Sequence, residues 1–192
     1  YDGLYRSYYE NGQLLDEVNF KAGLYDGAYK TYYKNGQLHR HFVYKEDVRD
    51  GLQITYYENG QLQQKETETA GYRTSASWYY ESGQLEQEYY TVDQVYVNKE
   101  YYESGQLENE YKYKSKLDIT YKAYHPNGQL HIEFASKRGD GGEYIDGPHK
   151  TYYGNGKLAE EASYKLGKLV RSCKFSYSDD GSVEKACNNS PQ

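Results

Sequence analysis

The chain has 192 residues and a formal net charge of −6, with acidic and basic side chains spread along its length. Nucleic acids and anionic membranes bind concentrated positive charge, so neither is expected as a partner. The sequence has no run of about 18 apolar residues, so direct insertion into a bilayer is not expected. Only 36% of residues are hydrophobic, yet 28 are tyrosine, which predicts a thin folded layer that buries aromatic rings and leaves their hydroxyls in water.

A seven-residue pattern recurs eight times along the chain. In each copy a tyrosine lies four residues before a glycine, and a leucine (valine in the last copy) lies two residues after it. The copies are at 8–14, 32–38, 56–62, 79–85, 101–107, 124–130, 152–158 and 177–183. We therefore predict a single repeat array over residues 1–192. The sequence enters the first repeat at once and contains no methionine, so we expect a fragment or a processed product.

One copy reads Tyr124-His125-Pro126-Asn127-Gly128 and identifies the backbone of all eight. Proline at the second position of a type I turn already has the required φ. The glycine then takes the left-handed conformation that gives a three-residue hairpin loop with a bulge. Each copy is therefore predicted to be the tip of a β-hairpin.

This turn sets the register of the flanking strands, so that Tyr8 faces Leu14 and Tyr9 faces Gln13. Because side chains alternate between faces, we expect Tyr8 and Leu14 on one buried face, and Tyr9 and Glu17 on the other, more exposed face. The predicted repeat core consists of Tyr8, Leu14, Tyr32, Leu38, Tyr56, Leu62, Tyr79, Leu85, Tyr101, Leu107, Tyr124, Leu130, Tyr152, Leu158, Tyr177 and Val183.

Further turn signals, such as Asp50-Gly51 and Asp146-Gly147, lie between the tips and give two strands to each repeat. The predicted fold class is all-β: a single long, twisted or curled antiparallel β-meander of about eight hairpins, without a helix. The longest interval between tips contains SKRGDGGEYIDG, which we expect to bulge from the sheet as a loop.

Written as Tyr-Tyr-x-Asn-Gly-x-Leu-x-x-Glu, the repeat resembles the MORN repeat variant (membrane occupation and recognition nexus). The glutamate of that pattern is present as Glu17, Glu88, Glu110, Glu133 and Glu161. The resemblance implies a curled antiparallel sheet without enzymatic activity of its own. It also implies the roles known in the family: bacterial members are often labelled antitoxins or immunity proteins, or are uncharacterised exported proteins, and eukaryotic relatives are linked to membranes and protein scaffolding.

The chain has two cysteines, Cys173 and Cys187. Extending the register of the last hairpin outward from Tyr177 and Val183 places Cys173 directly opposite Cys187, close enough for a disulfide. A disulfide indicates an oxidising compartment. We therefore expect an extracytoplasmic bacterial protein that is periplasmic, on the cell surface or secreted.

The second residue of the tips forms a row across the predicted sheet and is the candidate binding ladder. Its members are Tyr9, Tyr33, Tyr57, Tyr80, Tyr102, His125 and Tyr153. Two interpretations remain open. The rings can cover neighbouring backbone and pack against adjacent aromatic residues, or they can form a rigid aromatic stripe for binding, because tyrosine offers contact area at a low entropic cost.

Signals for catalysis, metal binding and cofactor binding are weak. His39 and His41 share a face in the predicted register, but no cysteine or carboxylate cluster completes a metal site, and serine, histidine and aspartate form no nucleophile motif. We expect no enzyme activity, no cofactor and no metal.

The leading hypothesis is a non-catalytic, exported repeat scaffold that binds another protein through its sheet face or an edge strand, as a possible component of a larger assembly. One alternative is an immunity or antitoxin protein that neutralises a cognate secreted toxin. Another is binding of carbohydrate or cell wall through the tyrosine ladder.

Overall fold

The computed structural model describes residues 1–115, 117–139 and 141–189, and within these it contains seventeen β-strands and no helix. In chain order the strands are β1 (Gly3–Tyr8), β2 (Leu14–Lys21), β3 (Leu24–Tyr32), β4 (Leu38–Lys45), β5 (Val48–Arg49), β6 (Gly51–Tyr56), β7 (Leu62–Thr69), β8 (Tyr72–Tyr79), β9 (Leu85–Val92), β10 (Val95–Tyr101), β11 (Leu107–Tyr113), β12 (Asp118–Tyr124), β13 (Leu130–Gly139), β14 (Gly142–Tyr152), β15 (Leu158–Lys165), β16 (Lys168–Tyr177) and β17 (Val183–Asn189). The predicted all-β fold of antiparallel hairpin repeats is confirmed.

The chain forms two compact units. The first, residues 1–90, is an antiparallel meander in which each strand pairs with the next, except that β4 pairs with both the two-residue β5 and β6. The second, residues 91–192, contains β10 to β17, paired in the same consecutive manner. Each unit holds four of the eight tips.

The tips have the predicted backbone. In the first of them the Tyr9 amide donates to the Gln13 carbonyl at 2.8 Å, and the Gly12 amide donates to the Tyr9 carbonyl at 2.9 Å. All eight tip glycines have φ between +81° and +89°. This left-handed conformation is readily available only to glycine, which explains why the glycine is common to all copies. The first tyrosine pairs with the leucine, as Tyr8 does with Leu14.

A β-bulge follows the tip in the first seven hairpins. In the first hairpin, Tyr8 pairs with Leu14 but Ser7 pairs with Asp16, so that Leu15 is an extra residue. The same shift occurs beside each tip from β3–β4 to β14–β15. A bulge reverses the alternation of the side chains beyond it. Glu17 therefore lies on the same face as Tyr8, and the prediction that it lies on the opposite face is wrong.

Most of the buried side chains are on the face opposite to the first tyrosines, here called the core face. Val18 pairs with Tyr29, which pairs with Phe42, and Tyr29 and Tyr32 point to opposite faces of β3. Val18 is 4% exposed. Other buried members of this face are Phe42, Gln53, Thr55, Glu66, Ala76, Ile119, Ala123, Ser136 and Ala162. The other face carries the family glutamates and is called the charged face.

The segment of the longest interval does not form a separate loop. Strands β13 and β14 extend through it and remain paired as far as Gly139 and Gly142, with Arg138 opposite Glu143. The hairpin is thus lengthened within the sheet, and the expectation of a bulging loop is wrong. Asp140, which belongs to the same segment, lies outside the described residues.

Candidate functional site

The second tyrosine of a tip reaches across to the next tip. Its hydroxyl donates a hydrogen bond to a backbone carbonyl of the following hairpin, at distances of 2.7 to 3.0 Å. The donor and acceptor residues are Tyr9 and Tyr32, Tyr33 and Tyr56, Tyr57 and Tyr79, Tyr102 and Tyr124, and Tyr153 and Phe175. Each bond joins residues 22 or 23 positions apart, which is the length of one repeat. The ladder therefore links successive repeats.

His125 occupies the ladder position in the one copy that lacks a second tyrosine. Its Nε2 lies 3.1 Å from the carbonyl oxygen of Tyr152, the same kind of acceptor that the tyrosine hydroxyls use. Its ring also packs on His131, the bulge residue of its own hairpin, with centroids 4.3 Å apart. Tyr33 packs on the bulge residue His39 at the same distance. Histidine thus reproduces both contacts of the ladder tyrosine.

The ladder rings are held in place and are not freely exposed. Tyr9, Tyr33, Tyr57, Tyr80, Tyr102 and His125 are half-buried, and Tyr153 is 45% exposed. Burial raises the pKa of Tyr33 and of Tyr102 above the ordinary value of 10.0. Since five tyrosine hydroxyls and the His125 ring contact backbone carbonyls of the next hairpin, these contacts favour the structural interpretation of the ladder.

Asparagine and glutamine side chains add a second link between tips, which the sequence reasoning missed. The amide nitrogen of Asn35 donates to the Glu58 carbonyl at 3.1 Å, and that of Asn127 donates to the Gly154 carbonyl at 2.6 Å. The Gln37 Oε1 lies where a Cβ on Gly60 would be only 2.6 Å away. A glutamine of the preceding tip lies similarly close to Gly83 and Gly156. Since the end of a glutamine side chain can move, φ remains the main reason for glycine at the tip. In the sequence, the recurrence of Asn-Gly-Gln at the tips was the signal that could have indicated this link.

The first tyrosines and the leucines have the predicted register but do not form the buried core. Tyr8 is 58% exposed and Val183 is 54% exposed, and the other fourteen members of the set are half-buried. The bulge explains this, because it places the charged family glutamates on the same face as the tyrosine and leucine side chains. Burying a charged side chain is costly, so a face that carries the glutamates beside the tyrosines and leucines stays in contact with water.

The family glutamates bind basic and tyrosine side chains on the charged face. Glu17 forms an ion pair with Arg6 at 2.7 Å. Glu133 accepts a hydrogen bond of 2.8 Å from the hydroxyl of Tyr152, the first tyrosine of the next tip. Burial, followed by this bond and the charge of Glu133, raises the pKa of Tyr152 to about 12. Glu133 therefore provides a third kind of contact between neighbouring repeats, whereas Glu17 pairs within its own hairpin.

The disulfide predicted from the register is present. Cys173 pairs with Cys187 across β16 and β17, and their Cα atoms are 4.0 Å apart. Cys173 is 3% exposed, whereas all seven residues of β17, including Cys187, are exposed. The guanidinium of Arg171 lies 3.6 Å from the Cys187 sulfur. Because β17 buries no side chain of its own, the disulfide is its main side-chain attachment.

A buried polar cluster lies on the core face of the first unit. Glu66 and Glu68 are 5% and 7% exposed. Arg73 approaches Glu66 at 2.6 Å, and Arg49 approaches Glu68 at 3.5 Å. Gln53, which is 1% exposed, bonds with both the amide and the carbonyl of Val43 through its side-chain amide. These pairings compensate for the loss of hydration and give the cluster a structural role.

A shallow groove crosses the charged face of the second unit. Three cavities of about 290, 240 and 260 Å³ adjoin one another. The first two share Thr120 and Ala135, and the last two share Pro148. Charged side chains of both signs line the groove: Lys114, Asp118, Lys122, Glu133, Lys137, Asp146, Lys150, Glu161 and Arg171. Its floor therefore consists of small side chains between mixed charges.

The bulge also separates the two histidines that were considered as a metal pair. His39 is the extra residue of its hairpin, and His41 pairs with Lys30 beyond it, so the two rings are on different faces.

Within residues 1–115, 117–139 and 141–189, no three His, Cys, Asp or Glu side chains are grouped so as to hold a metal ion. In the same part of the chain, no helix has the length and apolar character that a membrane crossing requires.

Repeated hairpins linked tip to tip by tyrosine, asparagine and glutamate side chains define a repeat scaffold. Seven segments match the MORN repeat variant, at residues 1–22, 25–46, 49–67, 75–93, 97–115, 117–134 and 145–166. These segments cover well over half of the chain, which therefore belongs to the MORN repeat variant family. The resemblance inferred from the tyrosine, glycine and leucine spacing is confirmed. A search of curated proteins found no match.

Proposed function

We propose that the protein is a non-catalytic, exported scaffold that binds another protein along the groove on the charged face of its second unit. The observation that carries this proposal is the continuity of the groove. Thr120 and Ala135 belong to two adjoining cavities, and Pro148 joins the second of these to a third. At about 4.8 Å per strand, a groove that crosses β12 to β16 is long enough for several residues of a partner chain.

The charges around the groove favour a protein partner over a polyanion. Lysine and carboxylate side chains alternate and pair across strands, as Lys137 does with Asp146 at 2.8 Å and Lys122 with Glu133 at 3.6 Å. These side chains remain partly exposed and can exchange their present partners for charges on an incoming chain. A surface of mixed sign complements a segment that itself carries both signs.

Binding of carbohydrate by the tyrosine ladder is a weaker candidate. A sugar site on this ladder would use the phenolic hydroxyls, but the hydroxyls of Tyr9, Tyr33 and Tyr57 already donate to backbone carbonyls. The rings of Tyr33 and His125 also pack on a residue of their own hairpin. Ala135 and Pro148 on the floor of the groove carry no hydroxyl that could be committed in this way.

Export is supported by the disulfide between Cys173 and Cys187, since such bonds persist mainly outside the reducing cytosol. The more specific form of the proposal is an immunity or antitoxin role, in which the partner is one secreted toxin. That form predicts one high-affinity partner encoded by an adjacent gene.

The groove is tested with a matched pair of arginine substitutions. Ala135 and Thr67 are both half-buried and both lie five residues after the leucine of their tip, but only Ala135 lines the groove. Purified wild type, Ala135→Arg and Thr67→Arg are each used to capture proteins from extracts of the source cells. The captured partner is then titrated against all three by calorimetry. Loss of binding in Ala135→Arg alone supports the groove, whereas equal affinities for all three would exclude it.

A further inference from the structure

Five hairpin tips carry the pair Asn-Gly, with the asparagine exposed. The asparagines are Asn11, Asn35, Asn59, Asn127 and Asn155. In such a pair the backbone nitrogen of the glycine can attack the side-chain carbonyl carbon of the asparagine. Glycine hinders this attack least because it has no Cβ. The remaining tips have Ser82, Ser104 or Asp180 at this position and have no side-chain amide to lose.

The tip backbone both promotes and restrains the attack. In each of the five tips the asparagine Oδ1 accepts a hydrogen bond from the backbone amide two residues later, at 2.9 to 3.1 Å. This donor faces the oxygen on which negative charge develops during the attack. The glycine amide meanwhile donates to the carbonyl of the ladder residue and must be released before it can react. Both features are shared by the five tips and do not distinguish them.

The contacts of the asparagine Nδ2, the atom that leaves as ammonia, do distinguish the five tips. The Nδ2 of Asn35, Asn59 and Asn127 donates to a backbone carbonyl of the next tip, at 3.1, 3.3 and 2.6 Å. That of Asn11 instead contacts Gln13 of its own tip at 3.3 Å. For Asn155, no Nδ2 bond is found within the described part of the chain. Three carboxamides are therefore held by a neighbouring repeat and two are not.

We propose that the Asn-Gly tips are sites of spontaneous deamidation, and that the contact with the next repeat sets their order, Asn11 and Asn155 reacting before Asn35, Asn59 and Asn127. The glycine nitrogen forms a bond to the asparagine Cγ, ammonia leaves, and a cyclic imide results. Water then opens the imide to aspartate or isoaspartate. The sum is asparagine plus water giving a carboxylic acid plus ammonia, with no oxidant or cofactor.

The conversion removes a link between repeats. At Asn35, Asn59 or Asn127 it replaces an amide donor with a carboxylate oxygen that faces a carbonyl oxygen, so an attractive contact becomes repulsive. The turn itself accepts aspartate, because Asp180 receives the same backbone hydrogen bond, at 2.9 Å from the Ser182 amide. Asp180 belongs to the last hairpin, beyond which the described chain has no further tip to bind. Where the product is aspartate, deamidation therefore acts between repeats and leaves the turn intact. Isoaspartate lengthens the backbone by one methylene and alters the turn as well.

The order is tested by peptide mapping of the intact protein after incubation in neutral buffer, with a sample unfolded in urea as reference. In urea the five sites should react at similar rates. In the folded protein Asn35, Asn59 and Asn127 should each react roughly fivefold more slowly than Asn155, the factor expected from one net hydrogen bond. They should also react more slowly than Asn11, whose Nδ2 is bound only within its own exposed tip. Equal rates for the five sites in the folded protein would overturn the proposed order.

The consequence is tested with aspartate variants. Hydrogen exchange of the amides in the 152–158 tip should become faster in Asn127→Asp, whereas Asn11→Asp should leave the 32–38 tip unchanged, because Asn11 does not donate to it. Asn127→Ser reproduces the residue present at Ser82 and Ser104 and separates loss of the bond from added charge. Asn127→Ser should accelerate exchange in the 152–158 tip less than Asn127→Asp does. Unchanged exchange in the 152–158 tip of Asn127→Asp would overturn the proposed link.

Discussion

The imidazole of His125 lies 3.1 Å, through its Nε2, from the backbone carbonyl oxygen of Tyr152 in the next hairpin. Five tyrosines make the equivalent contact elsewhere, from Tyr9 with Tyr32 to Tyr153 with Phe175. A histidine ring and a phenol differ in shape and length, but both place a polar atom within hydrogen-bonding distance of a carbonyl in the next hairpin. The position therefore requires a side chain whose polar atom can approach the carbonyl of the next hairpin. Through these contacts the ladder holds one repeat to the next.

Removing a single ladder hydroxyl should weaken the array by the value of one hydrogen bond. Tyr57→Phe deletes the 2.7 Å bond to the Tyr79 carbonyl and leaves that carbonyl short of a partner, at an expected cost of about 1 kcal/mol. The adjacent Tyr56 is the control, because its hydroxyl has no bond of this kind among the described residues. Tyr56→Phe should be close to neutral in urea unfolding. Equal effects of the two substitutions would contradict a special role for the second tyrosine.

The buried carboxyl of Glu66 should make the first unit less stable as the pH rises. Burial raises its pKa above 4.5, although Arg73 at 2.6 Å acts in the opposite direction. The folded state then binds a proton more tightly than the unfolded state, so stability falls as the pH increases from 4.5 through the raised pKa. Glu66→Gln should flatten this part of the profile of unfolding free energy against pH. The exposed control Glu86→Gln should keep the wild-type slope.

His149 should contribute a loss of stability on the acid side of neutrality. Its ring packs between Phe134 and Tyr164, with centroid distances of 5.7 and 6.0 Å, and burial lowers its pKa below 6.5 despite the charge of Glu160. The unfolded state then binds more protons, so stability falls as the pH drops below 6.5. His149→Phe keeps a ring in place and should reduce this loss in thermal unfolding. A profile identical to that of wild type would mean that the ring is not buried as described.

Reduction of the disulfide should release the last hairpin alone. The bond closes a loop between positions 14 residues apart, which is worth up to about 3 kcal/mol in the chain-entropy description. After reduction, hydrogen exchange should accelerate in β16 and β17 while β10 to β13 stay protected, since repeats couple mainly to their neighbours. Mass analysis after thiol alkylation should find no free thiol before reduction and two afterwards. Two free thiols in protein taken from its native compartment would remove the main support for export.

The turn chemistry of Pro126 and Gly128 was sufficient to predict the hairpins and the pairing of each first tyrosine with its leucine. It predicted a bulge at the glycine of the loop but not the second bulge after the leucine, because the local pattern Leu14-Leu15-Asp16 contains no distinctive residue. The extra residue of this second bulge moved the family glutamates to the tyrosine face and reversed the assignment of the buried face. The disulfide was predicted correctly because β16 and β17 pair without a register shift. Cys173 and Cys187 are each four residues from the pair Tyr177 and Val183 and therefore lie opposite each other.

The role of the ladder could not be decided from the sequence because its contacts join positions about one repeat apart. Whether a phenol points to solvent or to a neighbouring carbonyl depends on the distance between adjacent tips, which no local pattern encodes. The histidine at 125 was the available indication, since a stripe selected for aromatic area would not readily accept it. The tip asparagines gave a similar indication, because five of the eight tips have asparagine at this position and the others have Ser82, Ser104 and Asp180.

The most direct test of tip-to-tip linkage is the stability of variants at position 125, measured by equilibrium urea unfolding of the whole chain. His125→Tyr restores the residue of the other tips and should unfold within about 0.5 kcal/mol of wild type, as substitutions that preserve the contacts of a site do. His125→Ala loses both the bond to the Tyr152 carbonyl and the packing on His131, and should be destabilised by about 1 to 2 kcal/mol. An alanine variant as stable as wild type would contradict the account, because the contact would then hold nothing together.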